Sequence, residues 1–222
     1  MVESSEIASV VQRYVDINRE ERDRLSSLLD HVRSAAPIID RADLPGHVTC
    51  SALVLDDDHR MLQVWHNVFG KWLQPGGHLD PTDASLLGAA LRELAEETGV
   101  AAETITLLDP DPIDIDVHAI PRNRARHEVR HLHYDLRYAF IARSDLGVTL
   151  QWTEVSGFRW VHVDDLKAAR VADKLRAALA RRPPAGRSAA RRPAAAWSAD
   201  QAAVPLNRGR IGEARDLVDD DA

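Results

Sequence analysis

The stretch that decides the fold runs from Gly76 to Val100 and reads GGHLDPTDASLLGAALRELAEETGV. It begins with a glycine pair at the end of a predicted strand, passes through a polar turn and ends in an amphipathic helix. At about 100° per residue, acids fall on one side of that helix and leucines on the other. The acidic side holds Glu93, Glu96 and Glu97, and the apolar side holds Leu87, Leu91 and Leu94. The pattern predicts a helix that is anchored through one face and presents carboxylates on the other.

Carboxylates crowded at one helix end repel one another and need a compensating positive charge. Glu93 and Glu97 are four residues apart, a spacing at which like charges destabilise an isolated helix by about 0.2–0.5 kcal/mol. Acids are also unfavourable near a helix C-terminus, which Gly99 is predicted to mark. Arg92 supplies one positive charge, and Mg²⁺, or Mn²⁺ in its place, prefers the oxygen ligands that carboxylates offer. A solvated acidic helix face is the alternative.

The composition disfavours several classes of protein. The 222-residue chain has 28 Lys and Arg against 35 Asp and Glu, a net charge of −7, which disfavours nucleic acid or an anionic membrane as the main partner. A single cysteine, Cys50, excludes an internal disulfide and lies in an apolar run typical of a buried strand. Because the chain shows neither a secretory signal pattern nor a run of ~18 apolar residues, we expect a soluble cytoplasmic protein.

Hydrophobic periodicity divides the chain into three parts. Residues 1–45 form an N-terminal helical extension, in which apolar residues at helical spacing predict two helices or one bent helix before Pro37. The extension could cover the core, form a homodimer contact or cap a substrate pocket. Residues 46–180 contain the main domain, and the Ala/Arg/Pro-rich tail at 181–222 has a composition that favours disorder.

Runs of β-favouring residues within the main domain predict a sheet. The predicted strands span 47–55, 61–66, 72–75, 104–109, 113–120, 131–142 and 158–163. The first two are expected to pair as a hairpin through the turn at 56–59. A helix is predicted to follow the last strand, at 164–182.

The glycine turn and helix resemble the signature of the Nudix hydrolases. That family pattern is a glycine, five residues, a glutamate, seven residues, then Arg-Glu-apolar-any-Glu-Glu-any-Gly-apolar. Its second half matches in full from Arg92 to Val100. In the first half Asp83 stands in place of the glutamate, and eight residues instead of seven separate it from Arg92. We place the extra residue in the loop, which leaves the role of Asp83 open.

The resemblance covers roughly residues 46–180 and implies both a fold and an activity. The fold is α+β, an α/β/α sandwich with a central mixed β-sheet. The activity is Mg²⁺-dependent hydrolysis of a diphosphate linkage in a nucleotide-type substrate, a nucleoside diphosphate linked to another moiety. Splitting a phosphoanhydride needs charge neutralisation and a positioned water, which ions held by clustered carboxylates supply.

Two other readings compete with hydrolysis. One is a catalytically silent ligand-binding or regulatory module that kept the fold. It has no need for three mutually repelling helix glutamates. The other is a prenyl diphosphate isomerase, which would require a catalytic cysteine, and Cys50 lacks the surrounding motif expected of one.

The resemblance also implies roles for individual residues. The expected metal ligands are oxygen donors of the signature region: the Gly76 carbonyl, Glu93, Glu96 and Glu97. Glu93 could instead accept the proton of the attacking water. Arg92 is expected to orient the carboxylates through charge-assisted hydrogen bonds. The family often uses one more glutamate, for which Glu154 is the first candidate and Glu128 the second.

Two downstream regions predict substrate contacts. The loop at 121–130 is rich in arginines, whose guanidinium groups suit phosphate binding, and we assign Arg122, Arg124 and Arg126 to that role. A solvated basic loop is the alternative. The strand at 131–142 places His131 and His133 on one face, and we assign both to substrate binding. They could also form a transition-metal site with Asp135 and with His118 or His127.

Three aromatic residues are candidates for stacking on a base, namely Trp65, Phe69 and Trp72. A place in the core is the alternative for each of them. The sequence does not decide between these two uses.

Overall fold

The computed structural model describes residues 1–123, 128–143 and 145–181. Within these ranges, the α-helices are α1 (Ser4–Ile17), α2 (Ser26–Ser34), α3 (Leu86–Thr98) and α4 (Ala169–Ala180). The strands of the described residues are β1 (Gly46–Leu55), β2 (Arg60–His66), β3 (Lys71–Leu73), β4 (Gly76–His78), β5 (Ile105–Leu107), β6 (Asp114–Ile120), β7 (His131–Ala142) and β8 (Val155–His162). No helix in these ranges is both long and apolar enough to cross a membrane.

The strands form one mixed sheet around the pair of β1 and β7. The main order is β3-β2-β1-β7-β5, and β4, β6 and β8 pair with β1, β7 and β2 respectively. β1 and β7 run parallel from Gly46 opposite Leu132 to Leu55 opposite Ile141, whereas the other pairs are antiparallel. Gly46 suits this position because a side chain there would overlap the Leu132 carbonyl.

Helices cover both faces of the sheet. Alternate residues of β1 and β7 point to opposite sides, so the two strands contribute to two cores. The larger core joins them to α1, α2 and α3 and includes Ile7, Leu28, Cys50, Leu94 and Phe140. The smaller core joins them to α4 and includes Leu53, Ile141 and Leu175. This confirms the predicted α/β/α sandwich with its N-terminal helices.

Both ends of α3 are fixed by specific contacts. Ser85 caps the start, where its Oγ accepts the Gly88 N–H at 3.0 Å. Glu6 of α1 accepts the Leu86 N–H at 3.2 Å, which places a negative charge at the positive end of the helix dipole. Gly99 ends the helix with a left-handed φ of 67°, as predicted. The N-terminal extension therefore helps to set where α3 begins.

The N-terminal extension is two separate helices that belong to the main core. α1 and α2 bury apolar residues against α3 and the central strands. The segment at 35–44 then lines the cleft described below. The structure thus shows one of the uses that the sequence left open, covering the core, and it places the 35–44 segment beside the cleft. Residues 182–222 of the predicted tail lie outside the described residues.

Two predicted boundaries were wrong, and the predicted hairpin was confirmed only beside its turn. Gly76 and Gly77 do not end a strand but belong to β4, which pairs with β1 on its own. The predicted hairpin pairs only next to its turn, at Leu55 and Met61, because β4 occupies the edge of β1 further back. The last helix begins at Ala169 and not at residue 164, since Val163–Asp165 form a 3-10 turn.

Candidate active site

An open cleft of about 1930 Å³ brings most of the predicted site together. Its lining includes Gly76, Arg92, Glu93, Glu96, Glu97, Arg122, Glu128, His131, His133 and Glu154. Met1 and the 35–44 segment contribute further lining. Arg124 and Arg126, the other two predicted phosphate contacts, lie outside the described residues, as does His127.

The three glutamates of α3 differ in exposure. Glu97 is buried, with 2% of its surface exposed, and the Glu93 side chain is 12% exposed. Glu96 keeps 47% of its side chain exposed. Leu91 and Leu94 are buried on the apolar face as predicted. Two of the three carboxylates are therefore withdrawn from water, unlike those of a solvated acidic surface.

Burial raises the pKa of both withdrawn carboxyl groups. It raises the pKa of Glu97 to about 8, because the Gly76 N–H at 3.2 Å offsets desolvation only in part and neighbouring glutamates add repulsion. It raises the pKa of Glu93 to about 7, although Arg92 acts in the opposite direction. Within the described part of the chain, the positive charges near these two carboxyl groups do not balance their negative charges.

Arg92 connects the carboxylates to the turn before α3. Its Nη1 donates to Glu93 Oε1 at 3.0 Å and to Glu96 Oε2 at 2.9 Å. Its Nε and Nη2 donate to the two oxygens of Asp83 at 2.9 and 3.0 Å, and Nη2 also donates to the His78 carbonyl at 2.8 Å. Asp83 is buried. The open role of Asp83 is therefore structural, since it holds the guanidinium that positions the glutamates.

The glycines of β4 let these carboxylates lie directly against the strand. A Cβ added at Gly77 would lie 2.5 Å from Glu93 Oε1, and one at Gly76 would overlap the Ser51 side chain. The Gly76 N–H donates to Glu97 Oε2. A side chain at either glycine would displace a neighbour, which explains the glycine pair.

Glu154 reaches the cleft through the loop that follows β7. Backbone bonds tie this loop to the end of α3, from Thr149 to the Thr98 carbonyl at 2.8 Å and from Gln151 to the Glu97 carbonyl at 3.0 Å. The charge of Glu154 contributes to the raised pKa of Glu93 and Glu97. Glu128 pairs with Arg41 at 3.4 Å, so the geometry favours Glu154 over Glu128.

Phe69 is the one of the three predicted aromatic candidates that lines the cleft. It is 44% exposed. Trp65 and Trp72 instead pack on each other edge to face, with ring centroids 5.4 Å apart. Arg159 lies over Trp72 at 4.4 Å from the ring centroid. Of the three aromatic candidates, Phe69 is therefore the one placed to contact a ligand in the cleft.

A histidine cluster was only partly visible in the sequence. His131 and His133 share a face of β7, as predicted, and they meet His47 of β1 and His78 of β4. Burial, with repulsion between the rings, lowers the pKa of His78 to about 4 and that of His133 to about 2. These two imidazoles are neutral at pH 7. His47 and His78 were missed because only strand pairing brings them beside β7.

Asp135 does not join these histidines, contrary to the metal set considered from the sequence. Its carboxylate accepts from Ser51 Oγ at 2.7 Å, from Gln74 Nε2 at 3.1 Å and from Arg137 Nε at 2.8 Å. His118 contacts Asp116 at 3.1 Å and also lies edge to face on His133, with ring centroids 5.5 Å apart. The polar strand face therefore divides into a histidine group and an ionic group, with His118 between them.

The ionic group is a partly buried cluster in which acids and arginines alternate. Arg137 contacts Asp114 at 3.1 Å and Asp116 at 3.2 Å. Arg170 of α4 contacts the same two acids at 3.0 and 2.8 Å. Burial by itself would raise the pKa of Asp116, but His118, Arg137 and Arg170 together lower it below the usual range. This cluster links β6, β7 and α4.

The carboxylates of α3 fit a divalent cation such as Mg²⁺. The donors that α3 offers to the cleft are carboxylate oxygen atoms, which Mg²⁺ prefers. Glu93 and Glu97 are buried together with raised pKa values, and Arg92 is already bonded to Asp83. A bound divalent ion would supply the positive charge that this arrangement lacks.

Comparison with known proteins identifies the class. The sequence profile of the NUDIX domain family matches residues 45–181, more than half of the chain. The protein therefore belongs to the Nudix hydrolase family, which confirms the resemblance seen in the signature.

Individual relatives are similar over shorter stretches. "Probable DHNTP pyrophosphohydrolase" of Lactococcus lactis subsp. cremoris is 34% identical over 91 residues, which cover 41% of this chain and 51% of that protein. "Phosphatase NudJ" of Escherichia coli K12 is 46% identical over 59 residues, 26% of this chain and 37% of that protein. The chain thus spans about half or less of the length of these relatives.

A solved structure is similar to part of this chain. The binary complex of a C. elegans Ap4A hydrolase matches with 18% identity and a TM-score of 0.47, covering 60% of this chain and 95% of that one.

Proposed function

We propose that this protein is a Mg²⁺-dependent hydrolase that cleaves a phosphoanhydride linkage in a nucleoside diphosphate linked to another moiety. Mn²⁺ is the alternative ion. The observation that carries the proposal is the burial of Glu97 beside Glu93, with the pKa of both raised. The names of the relatives, a pyrophosphohydrolase and a phosphatase, support the reaction class.

The residues of α3 and β4 would hold the ion. Its donors would be the Gly76 carbonyl, Glu93, Glu96 and Glu97. When bound, the ion neutralises phosphoryl oxygens and lowers the pKa of a bound water. Arg92 fixes Glu93 Oε1 by a hydrogen bond at 3.0 Å, which leaves Oε2 to accept the proton of the attacking water as an alternative role. A pKa of about 7 suits proton transfer at neutral pH.

Other groups in the cleft would position the substrate. Arg122 would contact the phosphates, with Arg124 and Arg126 of the same loop. His131 and His133 would contact the remainder of the molecule, and Phe69 would stack on a flat ring. Glu154 would orient the attacking water or complete the ion's ligands from the opposite side.

The test is the turnover of a variant in which the Glu97 side chain keeps its shape and loses its charge. Glu97→Gln should lower Mg²⁺-dependent phosphate-ester release by on the order of 100-fold or more, as loss of other charge-stabilising groups does. Glu103→Gln, an exposed glutamate just after α3, is the matched control and should retain activity. Unchanged turnover in the first variant would remove Glu97 from the ion's ligands.

The substrate is identified by a panel assayed with Mg²⁺ and with Mn²⁺. It contains nucleotide sugars, dinucleoside polyphosphates, ADP-ribose, NADH, CoA and nucleoside triphosphates. Consumption of a diphosphate-linked member is expected. If such a compound binds and is not consumed, the protein is the catalytically silent ligand-binding or regulatory module.

We also keep the expected organisation of the whole chain as a proposal. Residues 1–45 would act as an extension, 46–180 as the hydrolase domain and 181–222 as a disordered tail. A small-molecule substrate in the cytoplasm, without membrane or nucleic acid as a partner, agrees with the net charge of −7. A homodimer formed through the N-terminal helices stays a prediction that light scattering would test.

A further inference from the structure

We propose that His47, His78 and His133 form a binding site for Zn²⁺, separate from the carboxylates of α3. The three rings form a nearly equilateral triangle, with centroid separations of 5.0, 4.8 and 5.0 Å. One nitrogen from each ring lies within 4.8 Å of the other two. Imidazole nitrogens suit Zn²⁺, whereas carboxylate and carbonyl oxygens suit Mg²⁺. The two sites therefore select different ions.

His47 is the residue that most needs a ligand. It is 0% exposed, and within the described ranges neither of its ring nitrogens has a hydrogen-bond partner. The nearby Asp43 backbone offsets part of the effect by which burial lowers the pKa of His47, but it does not form a hydrogen bond with either ring nitrogen. Buried polar atoms are nearly always bonded, and an exception points to an ion or a water. The rings of His78, His131 and His133 lie 4.8–5.0 Å from its ring, centroid to centroid, and imidazole nitrogens suit a metal ion.

Three paired strands hold the three rings. His47 lies directly opposite His133 in the parallel pair of β1 and β7, and His78 lies opposite Thr49 in the pair of β1 and β4. A tetrahedral Zn²⁺ at about 2.0–2.1 Å from each nitrogen places the nitrogens roughly 3.4 Å apart. Each nitrogen then has to move by less than about 1 Å from its present place, which side-chain rotation supplies.

His131 fixes the orientation of one of these rings. Its Nδ1 lies 2.9 Å from the Val129 carbonyl, which can only accept, so Nδ1 carries the proton. In the neutral form of His131, the lone pair is on Nε2, which can accept from His133 Nε2–H at 3.2 Å; the lone pair of His133 is then on Nδ1. A hydrogen-bonded second nitrogen is typical of metal-ligating histidines.

The fourth coordination position faces the cleft. His78 and His133 both line it, and a zinc site with three protein ligands and one open position is the arrangement that binds a water or an exogenous oxygen. β4 separates this site from the carboxylates, because Gly77 faces Glu93 and successive strand residues point to opposite sides. The zinc site therefore has no ligand in common with the proposed Mg²⁺ site, and it shares His133 with the proposed substrate contacts.

The experiment is calorimetric titration of the metal-stripped full-length protein with Zn²⁺ in the presence of excess Mg²⁺, which occupies the oxygen ligands. One Zn²⁺ per chain is expected. His47→Asn and His78→Gln should each weaken Zn²⁺ binding by at least about 100-fold, the upper end of the loss found for residues that only orient a ligand. Co²⁺ should give the visible absorption bands of a tetrahedral nitrogen site in the unaltered protein, and both variants should lose these bands.

Two controls separate this site from the other parts of the protein. His162→Gln, at a histidine of β8 outside the cluster, should bind Zn²⁺ normally. Glu97→Gln should also bind Zn²⁺ normally while it loses hydrolysis. Circular dichroism establishes that each variant folds, and if His47→Asn does not fold, the half-buried His78 decides the question. Failure of Zn²⁺ to bind, or binding that depends on Glu97 and survives His78→Gln, overturns the proposal.

Discussion

Two groups of buried acids in this molecule have opposite electrostatics. Asp114 and Asp116 are surrounded by Arg137 and Arg170, and the pKa of Asp116 is lowered. Near Glu93 and Glu97, by contrast, Arg92 bonds Glu93 and is also bonded to Asp83. The Glu97 side chain accepts from the Gly76 N–H, and the pKa values of both glutamates are raised. The residue types are equivalent, so the number of nearby guanidinium groups makes the difference.

The contrast separates acids that the protein's own arginines neutralise from acids that we propose bind a metal ion. An ion cluster completed by the protein's own side chains holds β6, β7 and α4 together. An acid pair that the protein leaves under-neutralised costs stability, and such perturbed groups in a cleft point to a functional site. The predictions below test this contrast from the largest expected effect to the smallest.

Removing the arginine at the centre of the paired cluster should have the largest effect on stability. Arg137→Met leaves buried aspartates with too little positive charge, and breaking a buried ion pair costs about 3–5 kcal/mol. Chemical denaturation of the two proteins measures the free energy of unfolding. Arg143→Met, at an exposed arginine that pairs with Asp145, is the control and should leave the unfolding midpoint unchanged. An equal response in both variants would contradict the structural role of the cluster.

Removing the negative charge of Glu97 should instead increase the stability of the metal-free protein. In EDTA at about pH 9, Glu97→Gln should raise the free energy of unfolding by on the order of 1–3 kcal/mol, since each unit of pKa shift corresponds to about 1.4 kcal/mol. Added Mg²⁺ should stabilise the unaltered protein and have little effect on the variant. Destabilisation of the metal-free variant would show that Glu97 is already neutralised within the fold.

The contributions of Glu97 and Asp116 to stability should also change with pH in opposite directions. The folded pKa of Glu97 is about 8, above its ordinary value of 4.5. The folded protein therefore binds more protons between these values, and its stability falls as pH rises, by at most about 1.4 kcal/mol per pH unit for one group. Asp116 has a lowered pKa, so its contribution is lost only as pH falls below its ordinary 3.8.

Thermal melting in EDTA between about pH 5 and pH 9 measures this slope. The unaltered protein should lose stability toward high pH, and the Glu97→Gln variant should show a flatter profile. The affinity for Mg²⁺ should rise over the same range, because deprotonated carboxylates bind the ion. Parallel profiles in the two proteins would contradict the raised pKa of Glu97.

The smallest effect concerns an acid that is balanced by a helix dipole. Glu6 accepts the Leu86 N–H at the start of α3, and such a charge contributes about 0.3–1 kcal/mol. Glu6→Gln should reduce the free energy of unfolding by that amount and leave hydrolysis unchanged. A large loss of activity would mean that the N-terminal extension acts on the cleft more directly than through the start of α3.

The elements were more predictable than their pairing. The α3 helix, its glycine end and its carboxylate face followed from contiguous residues, and so did the faces of β7. The separate strand at Gly76–His78 was missed, because three residues give no periodicity and the pairing with β1 is long-range. The ionic cluster was missed for the same reason, since Arg170 meets Asp114 only after α4 docks on the sheet.

The amino-acid sequence alone determined the α3 helix with its acids, the positions of the main strands along the chain, and the family. Each of these depends on neighbouring residues or on a contiguous signature. The tertiary structure alone decided that Asp83 holds Arg92, that Glu97 is buried and that His47 joins His78 and His133. Burial and pairing depend on contacts between segments distant in the chain, and these contacts set both the pKa of a carboxyl group and the ligands available to a metal ion.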